Sequence, residues 1–166
     1  MPSYQQHREN QSGGYFMFSA CAFIRAMPVA VLIAGSGAAT AFAGPIEERQ
    51  ALMREDGKAA QELFKMFKGE APYDAATVKK DGDLIVKNLE KLATLFPPGS
   101  DKGPPETFTK AEVWTDPEGF KAAGDAAYKA AKAIADSTDQ ASFKAAVPAL
   151  GKACGGCHEK YRRPKG

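Results

Sequence analysis

Two cysteines and a histidine near the end of the chain are the residues best suited to chemistry. Cys154, Cys157 and His158 stand in the order C-x-x-C-H, and only Gly155 and Gly156 separate the two thiols. This spacing is the attachment sequence of a c-type haem, in which the thiols bond to the vinyl groups and the histidine binds the iron. The motif therefore predicts one covalent haem c, attached through both cysteines, with His158 as an axial iron ligand.

Two other uses of the cysteine pair are open. A C-x-x-C sequence without haem can form a redox disulfide, usually beside a βαβ unit, but no segment here alternates with the period of a strand. A zinc site normally has four ligands, whereas only Cys154, Cys157 and His158 remain if His7 is removed with an N-terminal signal. A haem-free redox or metal protein is therefore the third hypothesis, after two kinds of haem protein.

The N-terminal part of the chain has the pattern of an export signal. Residues 26–39 are apolar and uncharged, and the small-x-small triplet Ala41-Phe42-Ala43 follows them. This run is shorter than the roughly 20 residues of a membrane-spanning helix, which favours a cleaved signal over a retained anchor. We expect a signal peptide at residues 1–43, with a later start codon because residues 1–16 are polar. The mature domain would be residues 44–166, located in the periplasm without stable membrane insertion.

Composition limits the remaining possibilities. The 166 residues are 44% apolar and 25% charged, which fits one globular domain. The formal charge of +2 is too small to favour nucleic acid as a partner. The chain shows no paired carboxylates, no Ser-His-Asp arrangement and no phosphate-binding glycine loop, so we expect an electron carrier rather than an enzyme.

Four segments repeat their apolar residues with helical spacing, and stretches rich in proline and glycine separate them. We expect helices from Ile46 to Phe67, from Asp74 to Phe96, from Asp116 through Ile134, and from Gln140 into the cysteine motif. Residues 97–115 contain too much proline for a helix, which predicts a long crossover loop between the second and third helices. The predicted fold is all-α, an antiparallel four-helix bundle.

The expected core faces follow from the same spacing. Pro148 interrupts the last helix and is expected to kink it. The apolar face of the first helix comprises Ile46, Met53, Ala60, Phe64 and Phe67, with Arg49 elsewhere. The face of the last helix runs directly into the motif and comprises Phe143, Val147, Leu150, Cys154, Cys157 and Tyr161.

Longer stretches resemble the class II c-type cytochromes, the cytochrome c′ family. In that family an aromatic residue and an arginine follow a C-terminal attachment motif, as in CGGCHEKYRR at 154–163. Similar stretches are RQALM at 49–53, KGEAPYDAA at 68–76, LFPPGS at 95–100 and VWTDPEGF at 113–120. The resemblance covers residues 45–166. It implies an up-down-up-down bundle with one haem c and, often, a homodimer formed through the first helices.

The sixth coordination position of the iron decides between two functions. In an antiparallel bundle Met53, about seven residues or 10 Å into the first helix, is level with His158, about 8 Å from the end of the last. The resemblance places Met53 at the distal residue, which is methionine in low-spin members. We therefore predict His/Met ligation and electron transfer between redox partner proteins. The alternative is a high-spin cytochrome c′ that binds small gases such as nitric oxide, with Met53 only packing in the pocket.

Several basic residues lie near the predicted site. Arg49, one turn before Met53, is a candidate partner for a haem propionate. Arg162 resembles the family arginine near the proximal face of the haem. Trp114 is expected to close one end of the bundle. Lys152, Lys160, Arg162, Arg163 and Lys165 either steer an acidic partner or complement the helix dipole.

Overall fold

The structure, a computed structural model, describes residues 44–164. It contains five helices and, within that range, no β-strand: α1 (Pro45–Lys68), α2 (Ala75–Leu92), α3 (Glu112–Thr115), α4 (Pro117–Ala135) and α5 (Gln140–Tyr161). The predicted all-α fold is therefore confirmed. The signal peptide predicted at residues 1–43 lies outside the described residues, as does Lys165 of the basic group.

The four long helices form a closed bundle. Helix α1 packs on α2, α2 on α4, α4 on α5, and α5 returns to α1. Every long helix contributes a fully buried side chain, namely Leu63, Val78, Ile134 and Phe143. Burying each side chain of this size stabilises the fold by about 1.5–3 kcal/mol, so the shared core holds the bundle together.

Local sequence signals set the helix ends. Asp74 accepts a hydrogen bond from the Thr77 backbone amide at 2.7 Å, and Asp116 accepts one from Gly119 at 3.1 Å. Asp139 caps α5 in the same way, and its own backbone amide donates to the Ser142 hydroxyl at 3.2 Å, which completes a capping box. These contacts satisfy amide groups that have no partner inside the helix, so the predicted starts at Asp74 and Asp116 are confirmed.

Helices α2 and α4 approach each other closely at Gly82. A Cβ atom built on Gly82 would lie 2.8 Å from the Cα atom of Ala135. Only a glycine fits there, and the small side chains of α4 permit the same approach along its length. The glycine lowers the helical propensity of α2, but it allows tight packing between the two helices.

Three features of the helices differ from the sequence prediction. Helix α2 ends at Leu92 rather than Phe96, because the backbone turns into the crossover there. The crossover contains the short helix α3. Its four residues are too few for helical periodicity to be visible in the sequence. Helix α5 continues through Pro148, so the proline does not interrupt it. Pro148 is exposed, so water can satisfy the carbonyl group that it leaves without a partner.

The buried face of α1 also differs from the prediction. Met53, Ala60, Phe64 and Phe67 are only half-buried. The prediction for Arg49 was wrong, because its guanidinium group enters the protein interior to bind the crossover loop. The buried residues of α1 are Ile46, Arg49, Ala59, Leu63 and Met66. None of the helices within residues 44–164 is both long and apolar enough to cross a membrane.

Candidate haem-binding site

The last two turns of α5 carry the predicted attachment motif. Cys154, Cys157 and His158 are half-buried, and both cysteines are free thiols. Cys154 and His158 lie one helical turn apart on the same face, and Cys157 is adjacent to His158. The helix therefore presents two thiols and an imidazole along one edge, as covalent attachment and iron binding require.

Open space borders the two glycines of the motif. Gly155 and Gly156 are exposed, and a Cβ atom built on either would meet nothing within 4 Å. At Gly151, one turn earlier, a Cβ atom would already lie 3.4 Å from the ring of Phe64. The two glycines therefore leave their side of α5 open, and the two thiols with the imidazole are a donor set that suits a haem c.

Burial sets the protonation states of the motif. It raises the pKa of the Cys154 thiol, and the nearby charge of Asp56 raises it further. Burial also raises the pKa of the Cys157 thiol. Burial and the positive charge of Arg162 lower the pKa of His158. At neutral pH the imidazole is therefore uncharged, which is the form that binds iron.

The alternative zinc site finds no support in the geometry. Within residues 44–164, no three His, Cys, Asp or Glu side chains are grouped so that they could hold a metal ion. Cys154, Cys157 and His158 therefore do not form a ready-made cluster for zinc, which takes four ligands in structural sites.

Helix α1 packs against α5 beside the motif. Phe64 packs near Gly151, and Asp56 is close enough to Cys154 to raise the pKa of its thiol. Met53 lies one turn before Asp56 on α1, and His158 lies one turn after Cys154 on α5. Because the two helices are antiparallel, Met53 and His158 lie toward the same end of the bundle, and Met53 as an iron ligand stays a prediction. Met53 is half-buried there.

Arg49 fastens the crossover loop to α1. Its Nη1 atom donates to the Leu95 carbonyl and the Ser100 hydroxyl, both at 2.9 Å. Its Nη2 atom donates to the Ser100 carbonyl at 2.7 Å and to the Thr107 hydroxyl at 3.4 Å. The guanidinium also stacks 4.7 Å from the centre of the Phe96 ring. Both terminal nitrogens bind the loop, and the predicted contact with a haem propionate stays a prediction.

The segment that follows His158 is joined to the crossover loop. The Lys110 amide donates to the Tyr161 carbonyl at 3.0 Å, and the Arg163 amide donates to the Phe108 carbonyl at 2.7 Å. We call these paired segments, residues 108–110 and 161–163, the loop–helix bridge. Tyr161 is buried and its hydroxyl donates to Asp116 at 2.9 Å. The end of the helix that carries His158 is thereby held in place.

The basic residues around the motif are partly engaged within the protein. Lys160 binds the carboxylate of Asp116 at 2.6 Å, and Arg163 donates to the Thr107 carbonyl at 2.6 Å. Arg162 and Lys152 are exposed, and the Arg162 amide donates to the His158 carbonyl at 3.0 Å. Arg162 thus lies one turn from His158, whereas its place near the haem and a role of the patch in docking a partner stay predictions.

Comparison with known proteins agrees with this geometry. A family model described as Cytochrome C′ matches residues 44–162. The chain belongs to the cytochrome c′ family. It is therefore a cytochrome with one covalent haem c, and the predicted cofactor is confirmed.

Individual relatives cover most of this cytochrome. Cytochrome c-556 of Agrobacterium tumefaciens is 35% identical over 131 residues, which are 74% of this chain and 100% of the relative. The crystal structure of cytochrome c′ from Rubrivivax gelatinosus is 34% identical, with a TM-score of 0.67 over 74% of this chain and 99% of that one. A nitric oxide complex of a mutant cytochrome c prime from Alcaligenes xylosoxidans is 28% identical, with a TM-score of 0.66 over 75% and 99%.

Sequence reasoning missed a polar pair next to the motif. Asn88 is buried and donates to the Asp56 carboxylate at 2.8 Å and to Glu55 at 3.2 Å. The other oxygen of Asp56 is buried without a hydrogen-bond partner among the described residues. Their spacing in the sequence could have revealed this pair, because Asp56 follows Met53 by three residues and Asn88 follows Ile85 by three. Both polar residues thus occupy inward positions of their helices.

Proposed function

We propose that this cytochrome transfers single electrons in the periplasm, with His158 and Met53 as the two axial ligands of its haem iron. The observation that carries the proposal is that Met53 is half-buried on α1, which runs antiparallel to α5, toward the end of the bundle that carries His158. Haem c supplies a reversible one-electron iron couple, and a thioether ligand raises its potential.

Each residue of the site has a separate task in this proposal. Cys154 and Cys157 hold the cofactor through two thioether bonds, and His158 presents a neutral imidazole from the same helix. Met53 presents its thioether sulfur from α1. The packing of Phe64 against α5 keeps the two helices in register. An iron with both axial positions filled by the protein suits electron transfer rather than the binding of a small molecule.

A second candidate function is the binding of small gases at a high-spin, five-coordinate iron. The comparisons favour it over electron transfer through Met53, because several relatives are named cytochrome c′ and one solved relative is a nitric oxide complex. In this candidate Met53 packs beside the distal position without binding iron. Its flexible side chain would then control the space available to a gas molecule.

The ferric absorption spectrum of the purified holoprotein separates the two candidates. We expect a low-spin spectrum with a methionine-to-iron charge-transfer band, and no reaction of the reduced protein with carbon monoxide. Met53→Leu conserves volume but removes the sulfur, so it should give a high-spin form that binds carbon monoxide. Met66→Leu, in the buried core, is the matched control and should keep the native spectrum. A native protein that is already high-spin and reacts with carbon monoxide would establish gas binding instead.

Export and assembly form a separate part of the proposal. We infer cleavage after Ala43, so the mature periplasmic chain should begin at Gly44. Mass spectrometry of protein from an exporting host checks this, and a mature chain that retains earlier residues would contradict it. The homodimer implied by the family resemblance is checked by light scattering of the holoprotein.

A further inference from the structure

Asp56 is a half-buried residue close to the first attachment cysteine, Cys154. It lies on α1 one turn beyond Met53, on the same side of the helix. Its Oδ1 atom accepts a hydrogen bond from the Asn88 side chain at 2.8 Å. Its Oδ2 atom is buried and has no hydrogen-bond partner within residues 44–164. A carboxylate in this arrangement has one satisfied oxygen and one that receives no hydrogen bond.

Three elements contribute the groups that face this carboxyl. Glu55 on α1 adds a negative charge, Asn88 on α2 adds a neutral amide, and Cys154 on α5 is the first attachment cysteine. His158, one turn further along α5, is kept uncharged by burial. Burial and the charge of Glu55 raise the pKa of Asp56 to about 6, although the hydrogen bond from Asn88 opposes the shift. Asp56 therefore changes its charge close to neutral pH.

We propose that Asp56 is a proton-binding site that couples proton uptake to reduction at the haem site, with Asn88 orienting the carboxyl group so that the proton is bound at Oδ2. Asn88 occupies Oδ1, which leaves Oδ2 as the atom free to bind the proton. The inference rests on the proposed function, because it concerns the same electron transfer. It adds a proton to that reaction and assigns the residue that carries it.

The coupling follows from charge balance. When a one-electron donor reduces the site, one positive charge is lost near Asp56, and the proton affinity of its carboxylate rises. The carboxylate then takes a proton from solvent and forms an O–H bond at Oδ2, and no other bond is made or broken. On oxidation the electron leaves and the proton returns to solvent. By linkage, proton binding must make reduction more favourable by the same amount.

The sign of the pH dependence is fixed by this scheme. At low pH Asp56 is protonated in both oxidation states, and its charge does not oppose reduction. As the pH rises past about 6, the carboxylate forms in the oxidised protein first and stabilises it. The reduction potential therefore falls with rising pH across this interval.

Glu55 supplies a matched control on the same helix. Its carboxylate also accepts a hydrogen bond from Asn88, at 3.2 Å. Glu55 is exposed, however, so water screens its charge from the haem site. If any carboxylate near Asn88 produced the effect, removal of either charge would change it equally.

The test is the reduction potential of the holoprotein as a function of pH, measured by protein-film voltammetry for native protein, Asp56→Asn and Glu55→Gln. We expect the native potential to fall above about pH 6 and the Asp56→Asn potential to stay level there. Glu55→Gln should keep the fall but begin it at lower pH, because the charge of Glu55 raises the pKa of Asp56. Haem propionates contribute equally to all three proteins, so the difference belongs to Asp56. An Asp56→Asn protein with the native slope would overturn the proposal.

A second measurement needs no variant, in case Asp56→Asn does not fold. Infrared difference spectra of the native holoprotein, reduced minus oxidised, should show a protonated carboxyl band near pH 6 that shifts when aspartate is labelled with carbon-13. The absence of any label-sensitive carboxyl band would overturn the proposal.

Absorption spectra of the same samples separate this proposal from the proposed function. If the iron is high-spin but Asp56→Asn still removes the pH dependence, the proton site is supported and Met53 ligation fails. If the spectra show methionine ligation but the slope of Asp56→Asn is native, the proton site alone is overturned.

Discussion

The two halves of α5 have the same helical spacing of inward residues but different surroundings. In the first half, Phe143, Val147 and Leu150 have no exposed surface. In the second half, Cys154 and Cys157 continue the stripe but remain half-buried. The first half is packed by α1, α2 and α4, whereas the second is bordered by open space at the two exposed glycines.

This difference in burial gives the two halves of α5 different roles, the first in stability and the second in chemistry. Side chains with no exposed surface contribute their full apolar area to the fold. Thiols and an imidazole that stay accessible can react with or bind a cofactor. The first half of α5 therefore anchors the helix in the core, and the second half presents the attachment motif from a rigid support. Variants in each half test this division.

Replacement of both cysteines should abolish covalent attachment entirely. Cys154→Ala with Cys157→Ala removes both sulfur atoms, so acid-acetone should extract all haem from the variant and none from native protein. Each single variant keeps one thioether bond and is the control. Haem staining of denaturing gels measures the outcome. A double variant that still stains for haem would show that the second half of α5 does not attach the cofactor.

Truncation in the first half should act on stability. Phe143→Ala removes a ring with no exposed surface and should lower the free energy of unfolding by about 3–5 kcal/mol. The neighbouring Lys144 is exposed, so Lys144→Ala should change it by less than about 0.5 kcal/mol. Urea denaturation followed by circular dichroism compares them. Equal losses in the two variants would show that the first half is not the anchor.

The same contrast between packed and open positions applies to helical glycines. Gly82→Ala places a Cβ atom 2.8 Å from the Cα atom of Ala135, so it should destabilise the protein by about 1–3 kcal/mol. Gly57→Ala meets nothing within 4 Å on α1 and should instead stabilise it by about 0.5–1 kcal/mol. Thermal unfolding of both variants distinguishes the positions. If both alanines stabilise, the α2–α4 contact is looser than described.

The charge of Asp56, on α1, should also affect stability. Its folded pKa is raised from 3.8 to about 6, so the folded state binds more protons than the unfolded state and stability falls as the pH rises through this interval. At pH 7, Asp56→Asn should gain about 1 kcal/mol, after allowance for solvent screening. Below pH 4 the gain should vanish. Urea denaturation at both pH values measures it, and an equal gain at each would exclude titration of Asp56 as the cause.

Features encoded by neighbouring residues could be predicted from the sequence. Asp74 and Asp116 begin their helices through bonds to residues three positions later, and the C-x-x-C-H motif is contiguous. The existence of four long helices and the haem c cofactor could therefore be read from the sequence. Met53 as an iron ligand stays a prediction, because its relation to His158 depends on the antiparallel arrangement of α1 and α5.

Features that depend on distant contacts could not be predicted. Arg49 is buried because carbonyl and hydroxyl groups 46 to 58 residues away bind its guanidinium. Asp56 and Asn88 are 32 residues apart and come together only when α1 packs on α2. Helical periodicity treats charged residues as outward-facing, and therefore it misses polar groups whose partners are supplied by another element.

The loop–helix bridge limits how the last turn of α5 separates from the crossover loop. The two hydrogen bonds that form it join segments about fifty residues apart, so ordinary fraying at the last turn of α5 cannot break both without separating the loop from the helix. The backbone amides of Lys110 and Arg163 should therefore exchange with deuterium together, in a single event. Their common rate would report how often the histidine-bearing end of the bundle comes free.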